Sequence, residues 1–358
     1  MGLVRIAAGV APALALLALV EVALRVGWRH VPPVLGTALY SVYEDKPGDL
    51  YFRDRPSRTM FMWPSFRTRA YWDGYAWEHR TDASGFRNPP DLSDHSLLLL
   101  GDSMIYGHGV EEKDTVAHLL RAKHGRGAYS MARQGDCLFE QYMKLRLHLD
   151  EMRPKTAVVT VFLNDFEDLE SKRSPEQIAA PPELTLDYGA LAARLAQPAA
   201  SSSWLDELHR LKIWRLLAAG WDALGRRAAA PPAGDAAVAA APPPPPPMLA
   251  PIADDARFAT ITRYYRTLLG DLAQRARAQG TELVVLDLDL GEHVAAGSLA
   301  LQDRVRAMLE SIGAEYGFRV LSTRELFDGC EACYLPRDGH LSREGHRRLA
   351  AFLDEQLP

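Results

Sequence analysis

Cysteine is scarce in this chain, which has three among its 358 residues: Cys137, Cys330 and Cys333. The last two form a single Cys-x-x-Cys pair, and a structural zinc site would need further ligands, so the spacing does not favour zinc. No thioredoxin-like βαβ pattern surrounds the pair, which argues against a redox site. If the body of the protein is exported, we expect a local Cys330–Cys333 disulfide and an unpaired Cys137.

The chain also lacks the excess of basic residues that nucleic-acid-binding proteins carry. Its formal net charge is −5, so it presents no electrostatic footprint for nucleic acid, and we expect no such partner. It has no internal repeat. Its length allows one large domain with appendages or two smaller domains.

A long uncharged apolar run occurs at the N-terminus, from Ile6 to Val20. It is shorter than the ~20 residues that span a bilayer, and extending it to that length includes Glu21. Arg5 supplies the positive start of a secretory signal, but no convincing cleavage site precedes Arg25. We interpret residues 1–27 as an uncleaved membrane anchor or signal segment, with the body exported to the periplasm or the exterior. A cleaved signal peptide and a buried helix are the alternatives.

Continuous apolar runs further along the chain predict buried strands. These runs lie at Leu97–Leu100, 156–165, 281–291 and 318–322. Amphipathic helical patterns accompany them at 114–125, Gln141–Met152, 258–280 and 342–357. Buried strands that alternate with amphipathic helices are typical of a parallel sheet covered on both faces. The predicted fold class is α/β.

Two segments interrupt this alternation. Residues 28–95 are rich in aromatic side chains, Arg and Pro, and predict an N-terminal extension of short strands and loops. Residues 171–256 predict a helical insertion that includes an Ala/Pro-rich, disordered linker. The α/β pattern itself occupies 96–170 and 257–358.

A Gly-Asp-Ser triplet, Gly101 to Ser103, follows the strand predicted at Leu97–Leu100. Nucleophilic serines stand on tight turns at the carboxyl edge of parallel strands, where open α/β sheets place their sites. Gly101 permits such a turn, and a helix that begins near Ser103 would direct backbone N–H groups at a developing anion. The triplet alone also fits an ordinary strand-to-helix turn.

A serine nucleophile needs a base, and Asp338 stands two residues before His340 in a loop ahead of the last predicted helix. A carboxylate this close can accept the Nδ1–H of the imidazole and leave Nε2 to take the serine proton. Taken alone, the two residues also fit a surface loop. His346 is an alternative base.

Oxyanion stabilisation requires donors fixed where a carbonyl oxygen becomes negative. Asn164 follows a buried strand and could direct its side-chain amide to the edge that carries Ser103. Gly135 precedes a helix, and a glycine lets a backbone N–H approach closely. Each also fits a structural role, as a strand-ending Asn and as a turn Gly.

In order, the chain reads Gly-Asp-Ser, a loop glycine, an asparagine after a strand, and Asp-x-His before the last helix. This order resembles the SGNH (GDSL-type) hydrolase family, whose four blocks carry Ser, Gly, Asn and His. The match falls on Ser103 in "GDSMIYG", Gly135 in "RQGDCLFEQ", Asn164 in "FLND", and His340 with Asp338 in "DGHLSREGH". The upstream stretch "TDASGFRNPP" is similar to the "GFR" lead-in of membrane-anchored members. The resemblance covers about 80–170 and 257–358.

One feature departs from much of the family, which has an aspartate three residues before the histidine. Arg337 holds that place here, and Asp338 stands two residues before His340. Related members that modify polysaccharide O-acetyl groups use this shorter spacing. Asp338 therefore remains the expected orienting acid.

The resemblance implies a three-layer α/β/α sandwich with a parallel, flavodoxin-like sheet. It also implies a triad of Ser103, His340 and Asp338, and an oxyanion hole formed by Gly135, Asn164 and the Ser103 N–H. No metal or organic cofactor is required. The expected function is a serine esterase that hydrolyses short-chain, O-acetyl-type esters through an acyl-enzyme.

Two other functions are left open. The same triad could transfer the acyl group to an envelope polysaccharide, as an O-acyltransferase. Alternatively, the chain could be a non-catalytic, carbohydrate-binding envelope protein. The expected partners are an acyl ester on a glycan or a lipid, and the membrane through the N-terminal helix.

Overall fold

We describe the chain from a computed structural model. The structure describes residues 2–40, 50–54, 57–196, 211–229, 246–293 and 298–358. The contacts divide the chain into two compact units. The first comprises Met1–Asp49, Arg69–Ala76 and Gln197–Ala241, and the second comprises Leu50–Thr68, Trp77–Ala196 and Pro242–Pro358.

The strands and helices are numbered in chain order over the described residues. The strands are β1 Tyr51–Arg53, β2 Met60–Met62, β3 Arg67–Trp72, β4 Tyr75–Arg80, β5 Leu97–Leu100, β6 Ala128–Ser130, β7 Thr156–Val161, β8 Glu282–Asp287 and β9 Arg319–Ser322. The first eight helices are α1 Gly2–Val26, α2 Pro33–Tyr40, α3 Ser103–Tyr106, α4 Val116–His124, α5 Leu138–Met152, α6 Asn164–Lys172, α7 Pro175–Ala179 and α8 Tyr188–Ala196. The others are α9 Lys212–Ala229, α10 Ala250–Ala253, α11 Asp255–Ala278, α12 Leu299–Tyr316, α13 Arg324–Phe327 and α14 Arg343–Gln356.

A five-stranded sheet forms the centre of the second unit, with strand order β6-β5-β7-β8-β9. Every neighbouring pair in this sheet is parallel. Every residue of β5 and of β7 is buried. Because successive side chains of a strand point to opposite faces, both faces of the sheet are covered. The predicted α/β class with a parallel sheet is confirmed.

Helices from distant parts of the chain cover this sheet. Helix α11 packs against α5 and α12, while α14 packs against α4. The four predicted strands correspond to β5, β7, β8 and β9. The sequence pattern missed β6, because a strand of three residues is too short to show a periodicity.

The segment "TDASGFRN" forms a turn that is attached to β6. Asp82 in this turn accepts hydrogen bonds from the backbone N–H of Ser84 and Phe86, each at 2.9 Å, and from the Tyr129 hydroxyl at 2.6 Å. Asn88 exchanges two hydrogen bonds with the backbone of Ser130. A carboxylate that satisfies several donors is a strong local constraint in a buried turn.

In the first unit, α1 contacts α9, and α2 also contacts α9. Glu21 in the apolar α1 accepts hydrogen bonds from the backbone N–H of Ile213 at 3.0 Å and from Arg25 at 2.7 Å. Burial would raise the pKa of Glu21, but these donors hold it below its ordinary value. Glu21, the charged residue that ends the apolar run, therefore accepts a hydrogen bond from the backbone at the start of α9.

Among the described residues, no helix combines the length and the apolar character that crossing a bilayer requires. The membrane anchor expected at residues 1–27 is therefore not confirmed.

The expected helical insertion contains α7, α8, α9 and α10. Most of the Ala/Pro-rich linker, residues 230–245, lies outside the described residues. The cysteine prediction is confirmed, because Cys330 and Cys333 form a disulfide and Cys137 is free and buried.

Buried histidines give the second unit a specific response to acid. His148 on α5 is 1% exposed, pairs with the Tyr188 hydroxyl at 2.8 Å, and contacts the edge of Phe86. Burial lowers the pKa of His148 to about 4. Between about pH 6.5 and pH 4, His148 is therefore protonated in the unfolded chain and neutral in the folded chain. The free energy of unfolding contributed by this group decreases as the pH falls through that range.

We expect His148→Phe to remove this contribution. At pH 7 the variant loses the Tyr188 hydrogen bond and is less stable than the wild type. At pH 5 the difference in unfolding free energy shifts in favour of the variant by ~2 kcal/mol, because its unfolded state gains no proton at this position. Urea unfolding of both proteins at the two pH values measures the shift. A difference that does not change with pH would contradict the assignment of a neutral, buried His148.

Candidate active site

Ser103 lies directly after β5, at the carboxyl edge of the parallel sheet. A Cβ at Gly101 would lie 2.6 Å from Ile105 Cγ1 and 3.1 Å from Thr160 Cβ, so the turn requires glycine there. Asp102 caps the short helix α3 by accepting a hydrogen bond from the Met104 N–H at 2.9 Å. The Gly-Asp-Ser triplet is therefore a tight strand-to-helix turn with Ser103 as the first helical residue.

The structure brings Ser103, His340 and Asp338 together. His340 Nε2 lies 2.8 Å from Ser103 Oγ, and His340 Nδ1 lies 3.2 Å from Asp338 Oδ2. The other carboxylate oxygen, Oδ1, accepts a hydrogen bond from the His340 backbone N–H at 3.0 Å. The three groups have the order hydroxyl, imidazole, carboxylate that a serine nucleophile and its base require.

Asp338 is held in its ionised form. Burial by itself would raise the pKa of this carboxyl, but His108 and His340 stabilise the negative charge and hold the pKa well below its ordinary value. An anionic Asp338 keeps a proton on the Nδ1 of His340, since that nitrogen faces the carboxylate. Nε2 is then the acceptor for the Ser103 hydroxyl.

The two other predicted residues occupy the expected ends of elements. Asn164 is the first residue of α6, just beyond β7, and its Nδ2 donates to Asp102 Oδ2 at 3.3 Å. Gly135 precedes α5 and has φ +69°. A Cβ at Gly135 would meet only Lys172 Nζ, at 3.7 Å, so the backbone conformation rather than lack of space demands glycine.

Buried charges fix the loop that carries Gly135. Asp136 accepts hydrogen bonds from Arg133 at 2.7 Å and from Lys144, and all three side chains are nearly inaccessible. The Gly135 carbonyl accepts from Arg133 at 3.3 Å and from Lys172 at 3.2 Å. Burial lowers the pKa of Lys144 to about 8, with Asp136 opposing the shift. This network was not predicted from the sequence, where its signal is Arg133 two residues before the glycine and Asp136 directly after it.

His346, the alternative base, does not contact Ser103. It is fully buried, its Nδ1 accepts a hydrogen bond from the Val116 N–H at 3.3 Å, and burial lowers its pKa to about 3. A buried, neutral imidazole that faces helix α4 has a structural role.

His108, which was not predicted from the sequence, joins the site from the loop after α3. Its ring stacks on that of His340, with 4.1 Å between the centroids, and its Nε2 lies 3.4 Å from Asp338 Oδ2. The available sequence signal was the "GHG" run five residues after Ser103, where two glycines flank a histidine.

His108, Asp338 and His340 also have potential metal-ligand atoms within 4.8 Å of one another. Two imidazoles and a carboxylate form a donor set that zinc accepts. In this structure the two imidazoles approach the same Asp338 oxygen and His340 contacts Ser103, so we assign the three groups to one array beside the serine and assign no metal.

No protein-family model matches the sequence, and no curated protein is significantly similar to it. Among solved structures, the chain is similar to TesA, with 15% identity, a TM-score of 0.40, and coverage of 73% of this chain and 97% of TesA. It is similar to the esterase EstA from Pseudoalteromonas sp., with 10% identity, a TM-score of 0.41 and coverage of 74% and 97%. It is also similar to the acetylxylan esterase Axe2 from Geobacillus stearothermophilus, with 13% identity, a TM-score of 0.37 and coverage of 72% and 92%.

Other similar structures are described as a GDSL-like lipase and an SGNH hydrolase. All these neighbours are distant in sequence.

We expect Gly135→Ala to lower kcat about tenfold or more. Alanine disfavours φ +69°, so the loop would shift and move the Gly135 backbone N–H, which is an expected oxyanion donor. Hydrolysis of a short acyl nitrophenyl ester measures the loss. Gly125→Ala is the matched control, since Gly125 has φ +67°, open space around its Cβ position, and a place at the end of α4. Equal effects of the two substitutions on kcat would contradict a special role for Gly135.

Proposed function

We propose that this chain is a serine esterase that hydrolyses short-chain, O-acetyl-type carboxylic esters. The observation that carries the proposal is the 2.8 Å contact between His340 Nε2 and Ser103 Oγ, with Asp338 at the opposite nitrogen of the same ring. A hydroxyl, an imidazole and a buried carboxylate in this order are a means of activating serine as a nucleophile.

In the first step, His340 Nε2 takes the Ser103 proton as Oγ attacks the ester carbonyl carbon. The resulting imidazolium is stabilised by the ionised Asp338, whose pKa lies below its ordinary value. Collapse of the tetrahedral intermediate transfers the proton from His340 to the leaving alcohol, and the acyl group remains on Oγ.

The negative oxygen of that intermediate needs fixed donors. We assign this role to the backbone N–H groups of Ser103 and Gly135 and to the amide of Asn164. One Asn164 amide hydrogen bonds to Asp102, which orients the group and leaves a second hydrogen for the oxyanion. A donor of this kind is worth roughly 10²–10³ in kcat.

In the second step, His340 removes a proton from water, which attacks the acyl-enzyme carbonyl. The carboxylic acid leaves, and the proton returns from His340 to Ser103 Oγ. Both half-reactions use the same array of groups.

A cavity next to the His340 loop supports an O-acetylated glycan as the substrate class. It has a volume of about 430 Å³ and is lined by His293, Glu331, Tyr334, Leu335, Pro336, Arg337 and Gly339. The His293 and Tyr334 rings stack with 3.4 Å between their centroids. The ring faces of His293 and Tyr334 and the charged groups of Glu331 and Arg337 are contacts that a sugar can use.

We also propose that the domain functions outside the cytoplasm. The Cys330–Cys333 disulfide supports this location, because disulfides persist in oxidising compartments. Anchoring through residues 1–27 stays a prediction, which separation of membranes and soluble fractions would test.

We expect Ser103→Ala to abolish hydrolysis of a nitrophenyl acetate ester, lowering kcat by ~10⁴-fold or more, and to abolish labelling by a fluorophosphonate probe. Ser103 is 8% exposed and small, so the fold should survive its truncation, which circular dichroism checks. Ser130→Ala is the control, since Ser130 is also buried but lies at the end of β6. Retained hydrolysis in a clean Ser103→Ala preparation would overturn the assignment.

Release of acetate from native cell-envelope glycan, measured with and without an added acceptor glycan, separates hydrolysis from acyl transfer. We expect free acetate to be released, with little acetate transferred to the acceptor glycan. Transfer in excess of hydrolysis would identify an O-acyltransferase, and an unlabelled Ser103 in the wild type would identify a non-catalytic protein.

A further inference from the structure

The "GHG" loop after α3 has a backbone that its sequence makes obligatory. Gly107 and Gly109 have φ +84° and +80°, the left-handed region that side chains other than glycine rarely adopt. A Cβ at Gly107 would also lie 2.5 Å from Thr115 Cγ2. Two such glycines in three residues turn the chain sharply and fix the position of His108 between them.

Arg87 holds this loop from outside. Its guanidinium donates to the carbonyls of Tyr106 at 3.0 Å, Gly107 at 2.9 Å and Val110 at 2.9 Å. Arg87 is 3% exposed, so these bonds are shielded from water. Arg87, the last residue of the "GFR" stretch, therefore clamps the loop that carries His108 through these hydrogen bonds.

The His108 ring is enclosed on several sides. It stacks on His340 with 23° between the ring planes, and Trp77 packs against it with 4.8 Å between centroids. Its Nδ1 lies 3.4 Å from Gln134 Nε2, and its Nε2 lies 3.4 Å from Asp338 Oδ2. Both ring nitrogens thus face polar partners.

The neighbours of His108 select one tautomer. The Tyr51 hydroxyl donates to Gln134 Oε1, which turns the Gln134 amide nitrogen towards His108 Nδ1. Nδ1 is then an acceptor, and the ring proton lies on Nε2, next to Asp338. Burial lowers the pKa of His108 to about 4, so the ring is neutral near pH 7.

We propose that His108 is a positioning residue, whose Nε2–H shares Asp338 Oδ2 with the Nδ1–H of His340 and whose ring buttresses the His340 imidazole. The proposal rests on the proposed esterase function and extends it beyond the three triad residues. Its basis is the geometry of the clamped loop, the stacked rings and the shared oxygen.

Sharing one oxygen between two donors has a chemical consequence. The two nitrogens lie 3.2 Å and 3.4 Å from Oδ2, and neither approach has the straight geometry of an ideal hydrogen bond. Both N–H groups interact with the same carboxylate charge. The interaction with His108 therefore weakens the electrostatic stabilisation that Asp338 gives to a protonated His340.

Other charged or titratable groups act on the two rings. Arg87 opposes a positive charge on His108, as does His340 itself. Asp102 and His346 interact electrostatically with His340. A substitution at His108 leaves these groups in place, so their effect on the acidic limb of the kcat/KM profile is the same in the wild type and in the variants.

The test compares His108→Phe, which keeps a stacking ring without the donor, with His108→Gln, which keeps a donor near Nε2 without the ring. For His108→Phe we expect kcat to fall about tenfold with KM changed less than about twofold, because positioning affects the transition state more than substrate binding. The acidic limb of the kcat/KM profile should move to higher pH, since Asp338 then attracts the protonated His340 without competition. For His108→Gln we expect the acidic limb to stay near that of the wild type.

His148→Phe is the matched control, because it replaces another buried, neutral histidine that pairs with Tyr188. We expect it to lower stability without moving the acidic limb. If His108→Phe behaves like this control, with an unmoved limb, the role of His108 is only structural and the proposal is overturned.

A measurement independent of turnover keeps the two proposals apart. Long-range ¹H–¹⁵N spectra of the wild type and of Ser103→Ala should show His108 as the neutral Nε2–H tautomer at pH 7. The Nδ1–H tautomer, or a charged ring, would overturn the proposal even if the esterase is active. An inactive, unlabelled wild type with the expected tautomer would instead contradict the esterase function.

Discussion

The hydrogen bond between His340 Nε2 and Ser103 Oγ joins residues that are 237 positions apart in the chain. Closing so long a loop is favourable only when many other contacts already hold its ends. The parallel sheet supplies them, because β5 ends at the serine turn and α14, which follows the His340 loop, packs against α4 beside the same turn. The contact between Ser103 and His340 therefore depends on the packing of the core, which brings both residues to one edge of the sheet.

The loops at this edge are stiffened in two different ways. The Ser103 side relies on backbone geometry, with glycines at 101, 107 and 109 that no larger residue could replace without strain or collision. The Gly135 side relies on buried charge, with Arg133, Asp136 and Lys144 paired away from water. Charges removed from solvent are tolerable only when they are fully paired, so this loop has few alternative conformations.

Much of the site could be predicted from the sequence because its members sit at the ends of recognisable elements. Ser103 and Asn164 follow apolar strands, and Asp338 with His340 precedes a capped helix. Local pattern alone left each position open, and the resemblance of the ordered blocks to a known family selected them. His108 could not be found in this way, since its partners are brought to it by the tertiary fold. The same reason explains β6, whose three residues are defined by pairing with β5, and Glu21, whose partner Ile213 is almost two hundred residues away.

Asp338 and His340 stand on either side of a single glycine, and the carboxylate of Asp338 is bonded to the backbone of the residue whose ring it orients. Carboxylate and imidazole therefore belong to one short backbone segment. A displacement of this segment would move both groups together, away from Ser103 on one side and from His108 on the other.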